Sequence, residues 1–211
     1  MLTIVDYNAG NLRSVQRACG AVGLSSLFTQ DPEVVRRADR LVFPGVGNAE
    51  SAMQTLNETG LGEALRDAHR RGTPILGICV GAQLILDSSE ESRLPCLGLI
   101  AGKTRRFSVS QHSTPPTDSL KVPHIGWNEV RRARAHFLLE ELEPGDEFYF
   151  VHSYYPDPTD PEDVYAVTDY GKPFCCALGR DNLFATQFHP EKSGRLGLQL
   201  LARFSRWSGS C

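Results

Sequence analysis

Cys79 lies in Gly77-Ile78-Cys79-Val80-Gly81, a cysteine with glycines two residues away on either side. A buried apolar run precedes it and a helical pattern follows. This is the nucleophile-elbow arrangement, with sulfur where serine oxygen is commoner. A tight strand-to-helix turn strains the backbone at the nucleophile, and flanking glycines let neighbouring chains approach without a Cβ in the way. The helix start after Cys79 favours thiolate, and the Val80 N–H is placed to meet an oxyanion. A cysteine among glycines also packs cores, so this motif alone suggests a function and no more.

A thiolate that attacks a carbonyl needs an imidazole to handle protons and a third group to orient it. Of the six histidines, His189 in Gln187-Phe188-His189-Pro190-Glu191 is the best placed. It follows the apolar run Leu183 to Gln187, at a strand end where α/β sheets hold their sites. Pro190 biases His189 toward extended backbone. In an extended chain, Glu191 falls on the same side as the imidazole. The other reading of the segment is a surface turn. His69, His112 and His136 lie in polar or charged stretches and read as solvent-exposed.

Elements able to position these residues alternate along the first half. Strand signals at Leu2 to Asp6, Ser26 to Thr29, Leu41 to Phe43 and Pro74 to Ile78 are separated by helical patterns. The Asp31-Pro32-Glu33 segment is a helix start. A longer helical stretch from Ala49 to Arg71 is broken near Gly60, and another helix opens at Ala82 to Leu86. Nearly all-apolar strands between helices imply a parallel sheet covered on both faces. The second half is richer in strands: Trp127 to Arg131, Glu147 to Tyr155, Val164 to Thr168, Phe174 to Leu178 and Leu183 to Gln187. Ser108 to Ser119 reads as a mobile surface loop, and a last amphipathic helix runs from about Gly194 to Trp207. The expected fold is α/β, a three-layer, mostly parallel sheet flanked by helices with an antiparallel extension, in one domain over residues 1–211.

Composition narrows the partners. A formal charge of −3 gives no electrostatic reason to expect nucleic acid or an anionic membrane. No apolar run approaches the roughly 20 residues of a membrane span, and the start lacks the features of a signal peptide. The six cysteines show neither C-x-x-C spacing nor a metal-binding cluster. They read as reduced thiols of a cytoplasmic protein, with no metal and no cofactor.

Together, Gly77-Ile78-Cys79-Val80-Gly81-Ala82-Gln83 and His189-Pro190-Glu191 resemble the G-x-C-x-G-x-Q and H-P-E motifs of the class I (triad-type) glutamine amidotransferase family. A third motif, Pro44-Gly45-Val46-Gly47, follows the third strand, as the oxyanion strand does in that family. The resemblance spans essentially the whole chain and implies a flavodoxin-like fold and glutaminase chemistry. Cys79, His189 and Glu191 would be catalytic. Gly45, Val46, Gly47 and Val80 would meet the oxyanion, and Gln83 and Gly47, with the Ser153 and Tyr154 backbone, would help bind the glutamine. Val80 and Ala82 stand where relatives commonly carry Leu and Met, apolar changes that leave the chemistry intact.

With only a helix after H-P-E, the ammonia acceptor is expected on another polypeptide. Ammonia protonates in water, so its transfer calls for a sheltered interface. Two aromatic segments, Val122-Pro123-His124-Ile125-Gly126-Trp127-Asn128 and Phe148-Tyr149-Phe150-Val151-His152-Ser153-Tyr154, read from composition as strand core or interface. They also resemble the glutaminases that pair, as a heterodimer, with a (β/α)8-barrel cyclase in histidine biosynthesis, as do Asp6-Tyr7, Gly10-Asn11-Leu12 and Lys192-Ser193. That resemblance implies interface positions at Asn11, Pro123, His124, Trp127, Tyr149 and Lys192. It also implies a glutaminase nearly silent until the cyclase binds its ribonucleotide. The nearest alternatives are family members serving pyridoxal phosphate, anthranilate or guanylate synthesis, and the P-H-x-G-W-N string separates the chain from those. A redox sensor on the same fold is the alternative of another class, and it would need no Glu191 to orient a histidine.

Overall fold

The computed structural model describes residues 1–108 and 121–210. Leu2–Val5 forms β1, buried at all four positions, and leads to α1 (Leu12–Ala21) and β2 (Ser26–Thr29). The next helix, α2 (Pro32–Arg36), starts as its residues dictate. Asp31 accepts the Glu33 N–H at 2.8 Å, and Pro32 occupies the first turn, where no N–H is needed. β3 (Arg40–Gly45), α3 (Ala49–Glu58), α4 (Leu61–Arg70), β4 (Ile75–Cys79) and α5 (Val80–Leu84) follow. The break between α3 and α4 falls at Gly60, which takes φ 74°, a conformation glycine adopts without Cβ strain.

Later elements are β5 (Ser88–Ser89), β6 (Gly102–Arg106), β7 (His124–Glu129), β8 (Arg131–Arg132), β9 (Glu147–His152), β10 (Tyr154–Pro158), β11 (Val164–Asp169), β12 (Pro173–Arg180), β13 (Leu183–Thr186) and α6 (Gly194–Phe204). The main sheet has eight strands in the order β2-β1-β3-β4-β13-β12-β11-β8. Pairing is parallel from β2 through β13 and antiparallel from β13 through β8. The expected class is observed. Strand order reverses at β1, so right-handed crossovers put α1 on one face and α2, α3 and α4 on the other. In keeping with this, α1 packs with α6, and α4 packs with α2 and α3.

Several local expectations change. The apolar stretch 147–155 is two strands: β9 pairs with β7 in a separate ribbon, while β10 joins a three-stranded sheet with β6 and β5. β6 carries Gly-Lys-Thr-Arg-Arg and buries only Gly102 and Thr104, too little apolar alternation to read as a strand. The helix after Cys79 ends at Leu84. Ser108 apart, the expected mobile loop lies outside the described residues, as do His112 and Cys211. His136 is not solvent-exposed: its ring is 7% accessible and stacks on Phe184 at 4.3 Å beside Tyr165 and Trp207. Aromatic contacts offset the cost of burying the imidazole, and burial pushes its pKa down to about 4. Among the described residues, no helix is long and apolar enough to cross a membrane.

Candidate active site

Cys79 closes β4 and caps α5 with φ 55° and ψ −105°, a backbone state that costs a non-glycine residue on the order of 1–3 kcal/mol. The flanking glycines make that turn possible. A Cβ at Gly81 would sit 1.9 Å from the Phe43 carbonyl oxygen, and one at Gly77 would sit 2.9 Å from Ala185 Cβ. With only five residues, α5 brings the polarity of its first-turn amides to Cys79 rather than that of a long helix. The sulfur accepts from Gln187 Nε2 at 3.7 Å and faces the Val151 carbonyl at 4.0 Å.

His189 follows β13, the parallel neighbour of β4. Its backbone is extended, as expected before proline, with φ −99° and ψ 95°. The pairing with Glu191 nevertheless has another origin than an extended chain. Pro190–Lys192 is a 3-10 turn, and the turn brings Glu191 Oε1 to 2.7 Å from His189 Nδ1. Asn11, held left-handed at φ 76°, donates its side-chain amide to the same carboxylate oxygen. Glu191 therefore accepts the Nδ1 proton and leaves Nε2 to face Cys79. Nε2 is buried and makes no hydrogen bond of ordinary geometry, yet Cys79 lies close enough to act on the ring as a charge and as a hydrogen-bonding sulfur. Burial disfavours imidazolium, but Cys79 first and Glu191 second outweigh it and raise the His189 pKa to about 10.

A cavity of about 520 Å³ opens beside the sulfur. Cys79, Val46, Gly47, Val80, Gln83, Ser153 and Tyr154 line it. Gly45 lies behind, paired with Cys79 in the β3–β4 ladder. A Cβ there would meet the Tyr7 hydroxyl at 2.0 Å. Both hydrogens of the Gln83 amide are engaged, by the Tyr154 carbonyl at 2.9 Å and by Gln187 Oε1 at 3.0 Å. Its oxygen is the atom left to meet a ligand.

Asn11, Pro123 and Lys192 line this same cavity. Trp127 is 53% exposed and meets Tyr149 edge-on at 6.1 Å, and the Lys192 ammonium lies 5.8 Å from the Tyr149 ring centre. His124 differs from these. Its ring is buried at 3% on the inner side of β7, so it offers no contact surface. Sequence reasoning missed Glu91, Val151 and His152 in the cavity wall and Gln187 on the sulfur. Gln187 stands two residues before His189, and that proximity was the signal available.

The glutamine amidotransferase class-I family profile matches residues 3–206. The chain belongs to that family. The imidazole glycerol phosphate synthase subunit HisH of Desulfovibrio desulfuricans is 48% identical to it over 204 residues, spanning 97% of this chain and 93% of that protein. The HisH subunit of Dechloromonas aromatica is 47% identical over 208 residues, spanning 98% and 96%. A solved glutamine amidotransferase superposes with a TM-score of 0.70 at 18% identity over 96% of this chain and 98% of that one. The glutaminase domain of Trypanosoma brucei CTPS gives 0.67 at 15% identity, over 97% and 93%. These two likenesses speak to the fold alone.

Proposed function

We propose that this chain is the glutaminase subunit of imidazole glycerol phosphate synthase, hydrolysing glutamine and delivering ammonia to a separate cyclase subunit. The observation that carries the reading is the Glu191–His189 pair set beside a cysteine held in a left-handed elbow. The near-full-length likeness to HisH subunits supports the choice of partner.

In the reaction, the Cys79 thiolate attacks the side-chain carbonyl carbon of glutamine. The Val80 amide and the Gly45-Val46-Gly47 backbone take the charge that develops on oxygen, each such donor being worth on the order of 3 kcal/mol. Imidazolium His189 gives its Nε2 proton to the departing nitrogen, the C–N bond breaks, and ammonia leaves a γ-glutamyl thioester. Neutral His189 then takes a proton from water, hydroxide adds to the thioester, and glutamate departs with the thiolate restored. Glu191 holds the ring throughout. Ser153 and Tyr154 backbone and the Gln83 oxygen receive the glutamine.

The partner of this reading is a (β/α)8-barrel cyclase in a heterodimer, with Asn11, Pro123, Trp127, Tyr149 and Lys192 at or near the contact. The joint products are imidazole glycerol phosphate and aminoimidazole carboxamide ribotide. The test is glutamate release by the chain alone, with the cyclase, and with the cyclase plus its ribonucleotide. Turnover that rises stepwise and vanishes in Cys79→Ala is expected. Near-normal turnover in Cys79→Ala would refute the assignment.

A further inference from the structure

The aromatic segments carry a buried chain of side chains that the chemistry above does not use. His152 Nδ1 lies 2.7 Å from the Tyr154 carbonyl, His152 Nε2 lies 3.0 Å from His124 Nδ1, and His124 Nε2 lies 3.3 Å from Asn128 Nδ2. Asn128 Nδ2 also donates to the Asp169 carbonyl at 2.8 Å. These contacts fix every proton. Two backbone carbonyls stand at the ends and can only accept, so His152 carries hydrogen on Nδ1 and Asn128 turns its NH2 toward Asp169. His152 Nε2 is then an acceptor, which puts hydrogen on His124 Nδ1 and leaves His124 Nε2 to accept from Asn128. Both rings are neutral Nδ1–H tautomers, and burial, which lowers both pKa values, keeps them so.

The hydrogen-bonded series ends at the wall of the cavity beside the sulfur. The Tyr154 carbonyl that takes the His152 proton also takes Gln83 Nε2 at 2.9 Å, filling both lone pairs. Gln83 in turn bonds Gln187, whose amide reaches the Cys79 sulfur. We infer that His124 and His152 are positioning residues for the glutaminase reaction, locking the Tyr154 carbonyl and thereby aiming the Gln83 oxygen at the bound glutamine. The inference rests on the glutaminase reading.

Packing and proton placement can be separated by substitution. His124→Phe keeps an aromatic ring between Phe150 and Tyr170, which flank His124 at 5.0 and 4.0 Å, but removes the donor to His152 Nε2 and leaves that ring held at one end only. His124→Asn loses the ring and keeps an N–H near the Nδ1 position. In the complex with the cyclase subunit, His124→Phe and His152→Leu are expected to raise KM for glutamine on the order of tenfold, the worth of one such bond, with kcat changed far less. His124→Asn and His152→Asn are expected to restore most of the loss. Imidazole ¹⁵N spectra of the wild-type chain should show both rings as Nδ1–H tautomers. Nε2–H tautomers, or an unchanged KM in His124→Phe, would overturn the inference. A wild-type complex that releases no glutamate would instead sink the glutaminase reading, and the ¹⁵N spectra would still decide the proton arrangement.

Discussion

Asn11 and Glu191 stand 180 positions apart and are joined by a side-chain hydrogen bond at the oxygen that also holds His189. The loop after β1 thus sets the orientation of a carboxylate that follows β13, and Asn11 lines the cavity beside the sulfur as well. Asn11→Ala leaves Glu191 with one partner fewer and a looser hold on the imidazole. Steady-state kinetics of the complex should show kcat for glutamine falling about tenfold, with KM nearly constant. A KM effect alone would assign Asn11 to substrate contact.

The proton on His189 should mark folding as well as catalysis. Its folded pKa, about 10, exceeds the unfolded value of 6.5. The folded state therefore binds the extra proton, and the resulting stability is fully present below pH 6.5 and lost as pH climbs toward 10. Because Cys79 is the leading cause of the rise, Cys79→Ala should flatten this slope, and Glu191→Gln should flatten it less. Urea unfolding between pH 6 and 10 would measure it. Parallel slopes in all three proteins would contradict the arrangement.

Gly81→Ala should damage the elbow without touching any reacting atom. Its Cβ would fall 1.9 Å from the Phe43 carbonyl oxygen, and backbone on both sides leaves little room to yield. A loss of about 3 kcal/mol or more is expected, at the upper end for overpacking. Thermal unfolding of the chain would register it as a lowered Tm. An unchanged Tm would mean that β3 and α5 can part at no cost.

Trp127 and Lys192 make a prediction about assembly. Trp127→Ala removes a half-exposed ring from the outer side of β7 and disturbs no buried contact of the core. Affinity for the cyclase subunit should fall roughly ten- to hundredfold, while the Tm of the free chain stays within error. Lys192→Ala should weaken coupling between nucleotide binding and glutamine turnover. Complex affinity and coupling both unchanged would move the interface elsewhere.

The grouping of Cys79, His189 and Glu191 could be read from sequence because each part is signalled within a few residues: glycines around Cys79, proline after His189, and Glu191 a turn away. Parallel strands were equally plain, since β1, β4 and β13 are buried throughout. What escaped depends on contacts between distant segments. Gln187 meets the sulfur across 108 positions, and only its place two residues before His189 set it apart from a core amide. His124 and His152 sit in strands whose aromatic content suits core and interface alike, and only the β7–β9 register, which sets them directly opposite each other, reveals the pair. The sharp bend at Ser153 hid the division of one apolar stretch between two sheets.

Cys79 and His189 hang from adjoining strands in the middle of the main sheet, with Ile78 opposite Thr186. Their spacing is therefore as stiff as the core itself, and the amides that hold it should exchange hydrogen only when the whole molecule opens. The β7–β9 ribbon lies outside that ladder, yet its Tyr149 carbonyl accepts the His189 N–H at 2.9 Å. Pressure from a docking surface on the ribbon would therefore be felt along the backbone that carries the imidazole as well as at the cavity wall.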